Sequence, residues 1–242
     1  KWFKTYQDSV ALVKDANAIT KKFTKDLKKI DPSVKFEIKT ILNTTPYLIF
    51  FYKDAANIPL WEQVIPEQKQ FFYQLGGNET EGKKIFGLFF NGFYLPHELG
   101  HAFEFVTRGN IVNSYESEYR ANTIGFLWWK KQHRNKELKE CYEYAKKMWA
   151  QLPNPVPEGS TVEEYFSKNY EQATQDPFVY GYLQFKQFID IYEDEKIGKD
   201  NKSYAVSFTF RDDTKTLQDT DIESIMKKLM EEYKSQLNAI IR

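Results

Sequence analysis

Pro96-His97-Glu98-Leu99-Gly100-His101 is the stretch on which the rest of the chain turns. Two of the three histidines of the sequence stand in it, four residues apart. On a helix that offset puts both side chains on one face about one turn apart. Both imidazoles can then reach a single metal ion while Glu98, beside His97, points at the metal's open position. The neighbours Tyr94, Leu95, Leu99, Gly100, Ala102 and Phe103 are all uncharged, as expected for a helix buried behind a cleft. Pro96 cannot donate a backbone hydrogen bond, so it is expected among the first helical residues, where that donor would be unpaired in any case.

Upstream, apolar positions from Trp2 to Ile30 recur at steps of three and four with lysines between them, which predicts a long amphipathic helix stopped by Asp31-Pro32. Val34 to Ile41 alternates apolar with polar residues, and Tyr47 to Tyr52 is a continuous apolar run; together they predict a β-hairpin over 34–53. A helix ending at Gly76-Gly77 follows, and Ile85 to Phe90 reads as another strand that leads into the histidines. Such an edge strand, at 84–90, could pair an extended peptide beside the metal. Downstream, helices are predicted over 116–132, 135–152, 161–173, 177–192 and 222–241, with an alternating strand from Tyr204 to Phe210.

His97-Glu98-Leu99-Gly100-His101 resembles the metal-binding pentapeptide of the zincin metallopeptidases. A longer metzincin signature would need Gly at 104 and His at 107, where this chain has Glu104 and Thr107. Glu118-Tyr119-Arg120-Ala121-Asn122 resembles instead the second helix of the gluzincins, and the Glu-x-x-Ala-Asn pattern of the small ImmA/IrrE-type peptidases. The resemblance covers residues 94–126. It implies an α+β, zincin-like fold: a small, mostly antiparallel sheet, an active-site helix and a predominantly helical C-terminal lobe. One catalytic domain would span 1–242, with sub-lobes meeting near residue 110. His97, His101 and Glu118 would hold Zn2+, with Glu116 and Glu104 as the other carboxylates weighed for the third position. Glu98 would be the general base of a zinc-dependent metallopeptidase, and Asn122 would orient His97. Zinc would lower the pKa of a bound water to about 7. A tyrosine is preferred for stabilising the oxyanion, Tyr180 ahead of Tyr182, because His133 lies in a charged helix end. A silent binding or regulatory module on the same scaffold, and a zinc hydrolase of a non-peptide amide, are the rival functions. Ordinary helix histidines or a purely structural zinc site are the bland alternatives.

Composition bounds these expectations. Of 242 residues, 41% are apolar and 17% aromatic, too much bulky hydrophobe for a disordered chain. Thirty-four basic and 34 acidic residues give a formal net charge of +0, so the expected partner is a peptide or protein substrate and not nucleic acid. The lysine-rich stretches near 21–29 and 227–234 read as the wet sides of amphipathic helices. Cys141, the single cysteine, excludes an intrachain disulfide and reads as a buried structural thiol. No apolar run is long enough for a membrane span. The chain starts at Lys1 and not at Met, which leans towards a removed leader and export.

Overall fold

The computed structural model describes residues 2–197 and 208–237. The chain divides into two compact units, Lys1–Asp200 and Asn201–Arg242.

The first unit opens with an arm, not a helix. Trp2, Phe3 and Tyr6 are buried, and α1 starts only at Ser9, where Asp8 caps it by accepting from the backbone N–H groups of Val10 and Ala11. From there α1 (Ser9–Ile30) buries Leu12, Ala16 and Phe23. Three short strands follow: β1 (Lys39–Leu42), β2 (Phe50–Tyr52) and β3 (Ala55–Ile58). The hairpin expected over 34–53 is displaced: β2 turns through Lys53-Asp54 into β3, and β1 pairs with β3 in parallel, giving the order β1-β3-β2. The sheet is therefore mixed and not mostly antiparallel. All of β3 is buried, as a central strand covered on both faces must be.

Pro66 opens α2 (Pro66–Gly76), which ends on Gly77 in the left-handed region at φ 88°. The strand expected at 84–90 is helix. Asn78 accepts from the N–H of Glu81 and caps α3 (Glu79–Leu88), whose apolar run is continuous because Ile85, Phe86, Leu88 and Phe89 are enclosed on all sides. A π turn over Phe89–Phe93, kinked at Asn91 (φ −111°, ψ 27°), joins α3 to α4 (Tyr94–Arg108). Pro96 leaves the carbonyl of Gly92, four residues back, without its helical donor. The indole Nε1 of Trp2 fills that place at 2.8 Å, and the N–H of Phe3 donates to the carbonyl of Asn91 at 3.0 Å. The N-terminal arm thus supplies the hydrogen bonds that the kink and the proline remove.

Five helices complete the description: α5 (Tyr115–Lys131), α6 (Asn135–Trp149), α7 (Val162–Ala173), α8 (Pro177–Ile197) and α9 (Asp219–Leu237). Thr161 and Glu164 form a capping box at the start of α7. α4 and α5 lie close because two glycines let them. A Cβ at Gly100 would stand 3.1 Å from the Cα of Ala121, and one at Gly125 would stand 3.1 Å from the N of His97. In the second unit, α9 keeps Ile222, Met226, Leu229 and Tyr233 half-buried along one stripe. Most of the strand expected at Tyr204 to Phe210 lies outside the described residues; Phe208 to Phe210 have no regular structure. Among the described residues no helix is long and apolar enough to cross a membrane.

Candidate metal centre

His97 and His101 project from α4, which is buried without a break from Tyr94 to Ala102. Their rings lie 4.8 Å apart, nearly perpendicular. Ligand atoms of His97, Glu98 and His101 all fall within 4.8 Å of one another. Across the close α4–α5 contact comes Glu118, with Oε2 3.4 Å from Nε2 of His97 and Oε1 3.6 Å from Nε2 of His101. The four side chains are all at least nine-tenths buried.

A hydrogen-bond network fixes each of them. Nδ2 of Asn122 donates to Oε1 of Gln184 at 3.0 Å and to Oε1 of Gln187 at 2.9 Å. That sets the amide orientation, so its Oδ1 faces Nδ1 of His97 at 2.8 Å and accepts from it. The proton of His97 therefore sits on Nδ1, leaving Nε2 with a free lone pair turned to Glu118. Glu118 is held at both oxygens: the Tyr170 hydroxyl donates to Oε1 at 2.6 Å, and Nε2 of Gln184 donates to Oε2 at 2.7 Å. Nε2 of Gln184 also donates to the Tyr180 hydroxyl at 2.9 Å. Nδ1 of His101 is buried and has no partner.

Charge follows from this arrangement. Burial, with His101 beside it, lowers the pKa of His97 to about 4, so that ring is neutral at pH 7. Burial acts the same way on His101, but the Glu118 carboxylate outweighs it and holds that imidazole at about 9. Burial would raise Glu118, yet the charge and hydrogen bond of His101 keep it far below the usual carboxylate range. At Glu98 burial outweighs the lowering influence of His101 and of the Phe51 backbone hydrogen bond, and, with Glu118 adding to it, pushes the carboxyl up to about 7.

The residues fit a divalent transition metal. In a tetrahedral zinc site with bonds of about 2.0–2.1 Å, ligand atoms stand about 3.3 Å apart; Glu118 comes near that spacing with a different oxygen towards each imidazole, Oε2 3.4 Å from His97 and Oε1 3.6 Å from His101. Two nitrogens and one carboxylate oxygen form a donor set that suits zinc. A metal would bind His101 only in place of the proton that Glu118 holds there, so its binding would release a proton.

The other sequence candidates fall elsewhere. Glu104 faces away, accepting from the Ser117 hydroxyl at 2.7 Å and pairing with Arg120 at 2.7 Å. Glu116 is exposed and pairs with Arg120, Tyr182 packs on Trp149, and His133 lies exposed past the end of α5. Tyr180 sits behind Glu118, bound through Gln184. Tyr170, Gln184 and Gln187 were not anticipated. For the glutamines a signal existed: Tyr180, Gln184 and Gln187 follow the i, i+4, i+7 pattern on α8, and both glutamines are buried among Leu183, Phe185 and Phe188.

The chain's similarity to a known family leaves out His97, His101, Glu118 and Asn122 but takes in Tyr180, Gln184 and Gln187 of the surrounding network. Residues 178–242 match the family model of the ferredoxin-fold anticodon binding domain, beginning within α8 and covering all of the second unit. The phenylalanine–tRNA ligase beta subunit of Bacteroides thetaiotaomicron is 45% identical over 60 residues, and that of Porphyromonas gingivalis 43% over 60; each alignment covers 25% of this chain and 7% of the relative. The Listeria monocytogenes subunit is 39% identical over 56 residues, 23% of this chain and 7% of its own length. The chain thus spans about 7% of the length of these relatives. No solved structure matches it.

These similarities overturn the functional expectations drawn from the pentapeptide. The zincin-like fold class and the kinship to gluzincin or ImmA/IrrE-type peptidases do not stand, because the matched family is an anticodon-binding one and the resemblance rested on about 33 residues. The zinc metallopeptidase, its status as a hydrolase, and the two rival functions on that scaffold fall with it. The expectation of a peptide substrate and no nucleic acid is likewise corrected, since the matched family binds anticodons. The lean towards export is withdrawn, because the relatives are tRNA ligase subunits. The physical error is plain for the partner: net charge reports nothing about how charge is distributed or which fold carries it.

Proposed function

We propose that this chain binds transfer RNA through the segment that begins at Phe178. The observation that supports it is the match of residues 178–242 to an anticodon-binding family, together with relatives that are phenylalanine–tRNA ligase subunits. The test is filter binding of the full chain to a phenylalanine tRNA transcript and to an unrelated tRNA at fixed salt. A preference of about tenfold or more for the phenylalanine tRNA is expected, equivalent to about 1.4 kcal/mol. Binding of neither overturns the proposal, and equal binding of both removes the preference for phenylalanine tRNA.

For the first unit we propose a bound zinc ion, with His97, His101 and Glu118 as its protein ligands. Support comes from the separations above and from the free Nε2 lone pair of His97. Zinc bound there would stabilise the fold by binding only the native arrangement. Asn122 keeps His97 in the ligating tautomer, Tyr170 and Gln184 orient Glu118, and Tyr180 braces Gln184. Glu98 is the carboxyl placed to hold or release a proton on the open side. Metal analysis of the purified chain is expected to give one zinc per chain in the wild type and little in Glu118→Ala. Equal zinc content in both removes Glu118 from the ligand set.

A further inference from the structure

The exposed side of α1 carries a charge arrangement that neither the metal centre nor the packing of the first unit uses. Lys14, Lys21, Lys22, Lys25, Lys28 and Lys29 are all exposed. At 3.6 residues per turn they fall within an arc of about 120°, along about 22 Å of helix. Between Lys14 and Lys29 the only other residue in that arc is Ala18.

The two carboxylates of α1 lie outside the arc and are engaged elsewhere. Asp15 accepts from the Tyr6 hydroxyl at 2.5 Å. Asp26 is buried beside Lys131 at 3.7 Å and Gln132 at 3.1 Å, and of the six lysines it reaches only Lys29, at 3.8 Å. The other five lysines form no ion pair with a described residue. The helix dipole accounts for cations in the last turn, at Lys28 and Lys29, but not for Lys14, Lys21, Lys22 and Lys25.

In a chain of zero net charge, a 22 Å row of six ammonium groups, only Lys29 of which pairs with a described carboxylate, is a segregated field. We infer that this face of α1 is a docking surface for the phosphate backbone of RNA. The inference rests on the proposal that the chain binds tRNA, and it gives the first unit a share in that binding. Phosphate contacts of this kind position a nucleic acid without reading its sequence. A membrane surface is the poorer occupant, because the apolar side of α1, with Leu12, Ala16 and Phe23, is buried in the core and has nothing to insert among lipids.

The experiment uses the full chain and a fourfold variant, Lys14→Gln with Lys21→Gln, Lys25→Gln and Lys28→Gln, whose fold is checked by circular dichroism. Binding is measured from 50 to 300 mM salt to phenylalanine tRNA, to a duplex RNA without an anticodon loop, and to vesicles containing anionic lipid. With about 0.7–0.9 counterions released per neutralised phosphate, the variant is expected to flatten the log–log salt slope for both RNAs by about 3. It should also weaken them at least tenfold at 100 mM salt. A control, Lys136→Gln with Lys139→Gln on α6, where Glu137, Glu140 and Glu143 stand among the lysines, should change affinity less than twofold. An unchanged slope and affinity in the fourfold variant overturns the α1 surface, even where the wild type still prefers phenylalanine tRNA. Lysine-dependent binding with no preference between the two RNAs supports the surface while refuting the tRNA proposal. Binding to vesicles but to neither RNA overturns both.

Discussion

Replacing Asn122 by alanine removes a side chain that touches three members of the buried network at once, among them the ligand candidate His97. Nδ1–H of His97 loses its acceptor at 2.8 Å, and the carbonyl oxygens of Gln184 and Gln187 lose their donor at 3.0 and 2.9 Å. Asn122 is fully buried, so water does not replace it freely. With each orphaned polar group costing about 1–3 kcal/mol, and some relief from rotation of the two glutamines, the metal-free chain is expected to lose about 3–5 kcal/mol. Loss of this outer hydrogen bond should also weaken zinc binding by about 10–100-fold. Asn122→Asp makes a sharper comparison. Its second oxygen would face the two glutamine carbonyls, and relief requires Gln184 to flip and withdraw its donor from Glu118. The assay is urea unfolding in chelator, followed by zinc titration against a competing chromophoric chelator. An Asn122→Ala chain within 0.5 kcal/mol of wild type, with unchanged zinc affinity, would refute the network as described.

Gly125→Val should lower stability by about 1–3 kcal/mol, because its Cβ would start 3.1 Å from the backbone N of His97 and force α4 and α5 apart; unfolding curves check this, and an unchanged midpoint contradicts it. Glu104 is buried, which alone would raise its pKa, but Ser117, Arg120 and Arg108 lower it below its ordinary value of 4.5. A carboxylate with a depressed folded pKa stabilises the fold above its unfolded pKa and loses that contribution as pH falls through the folded value. The stability gap between wild type and Glu104→Gln in metal-free buffer should therefore be constant from pH 7 down to about 5 and shrink below it. A gap that widens on acidification would show the sign to be wrong. Cys141 is buried and its thiol is pushed well above the usual range by burial, so a thiol reagent at pH 8 should leave the native chain untouched and label it once in denaturant. Trp2→Phe removes the donor that serves the Gly92 carbonyl and should cost about 1–2 kcal/mol. In a Pro96→Ala background, where the new N–H can serve that carbonyl itself, the loss should be smaller, and equal losses in both backgrounds would contradict the link.

α6 was readable because it shows one apolar stripe, Leu138, Cys141, Ala145 and Met148, and a wet side. The stretch 84–90 was not, because a helix enclosed on every face shows no period; its best clue was Asn78, three residues before Glu81, as a cap. The parallel pairing of β1 with β3 joins residues 16 apart and leaves β2, which lies between them in sequence, on the far side of β3, and local alternation says nothing of such partners. That His97, Glu98, His101 and Glu118 lie together was legible because helical spacing fixes them within one element or a short pattern. Tyr170 and the glutamines of α8 come from distant helices, and only burial makes them visible. The matched segment from Phe178 was overlooked for a different reason: it carries ten basic residues against twelve acidic ones, so its composition shows no basic excess that would point to an RNA partner.

Chemical footprinting of phenylalanine tRNA with saturating full chain is the most direct test of the account. Protection at the anticodon loop, lost on adding excess unlabelled phenylalanine tRNA, is the predicted result. Nucleotide reactivities identical with and without the chain would contradict it.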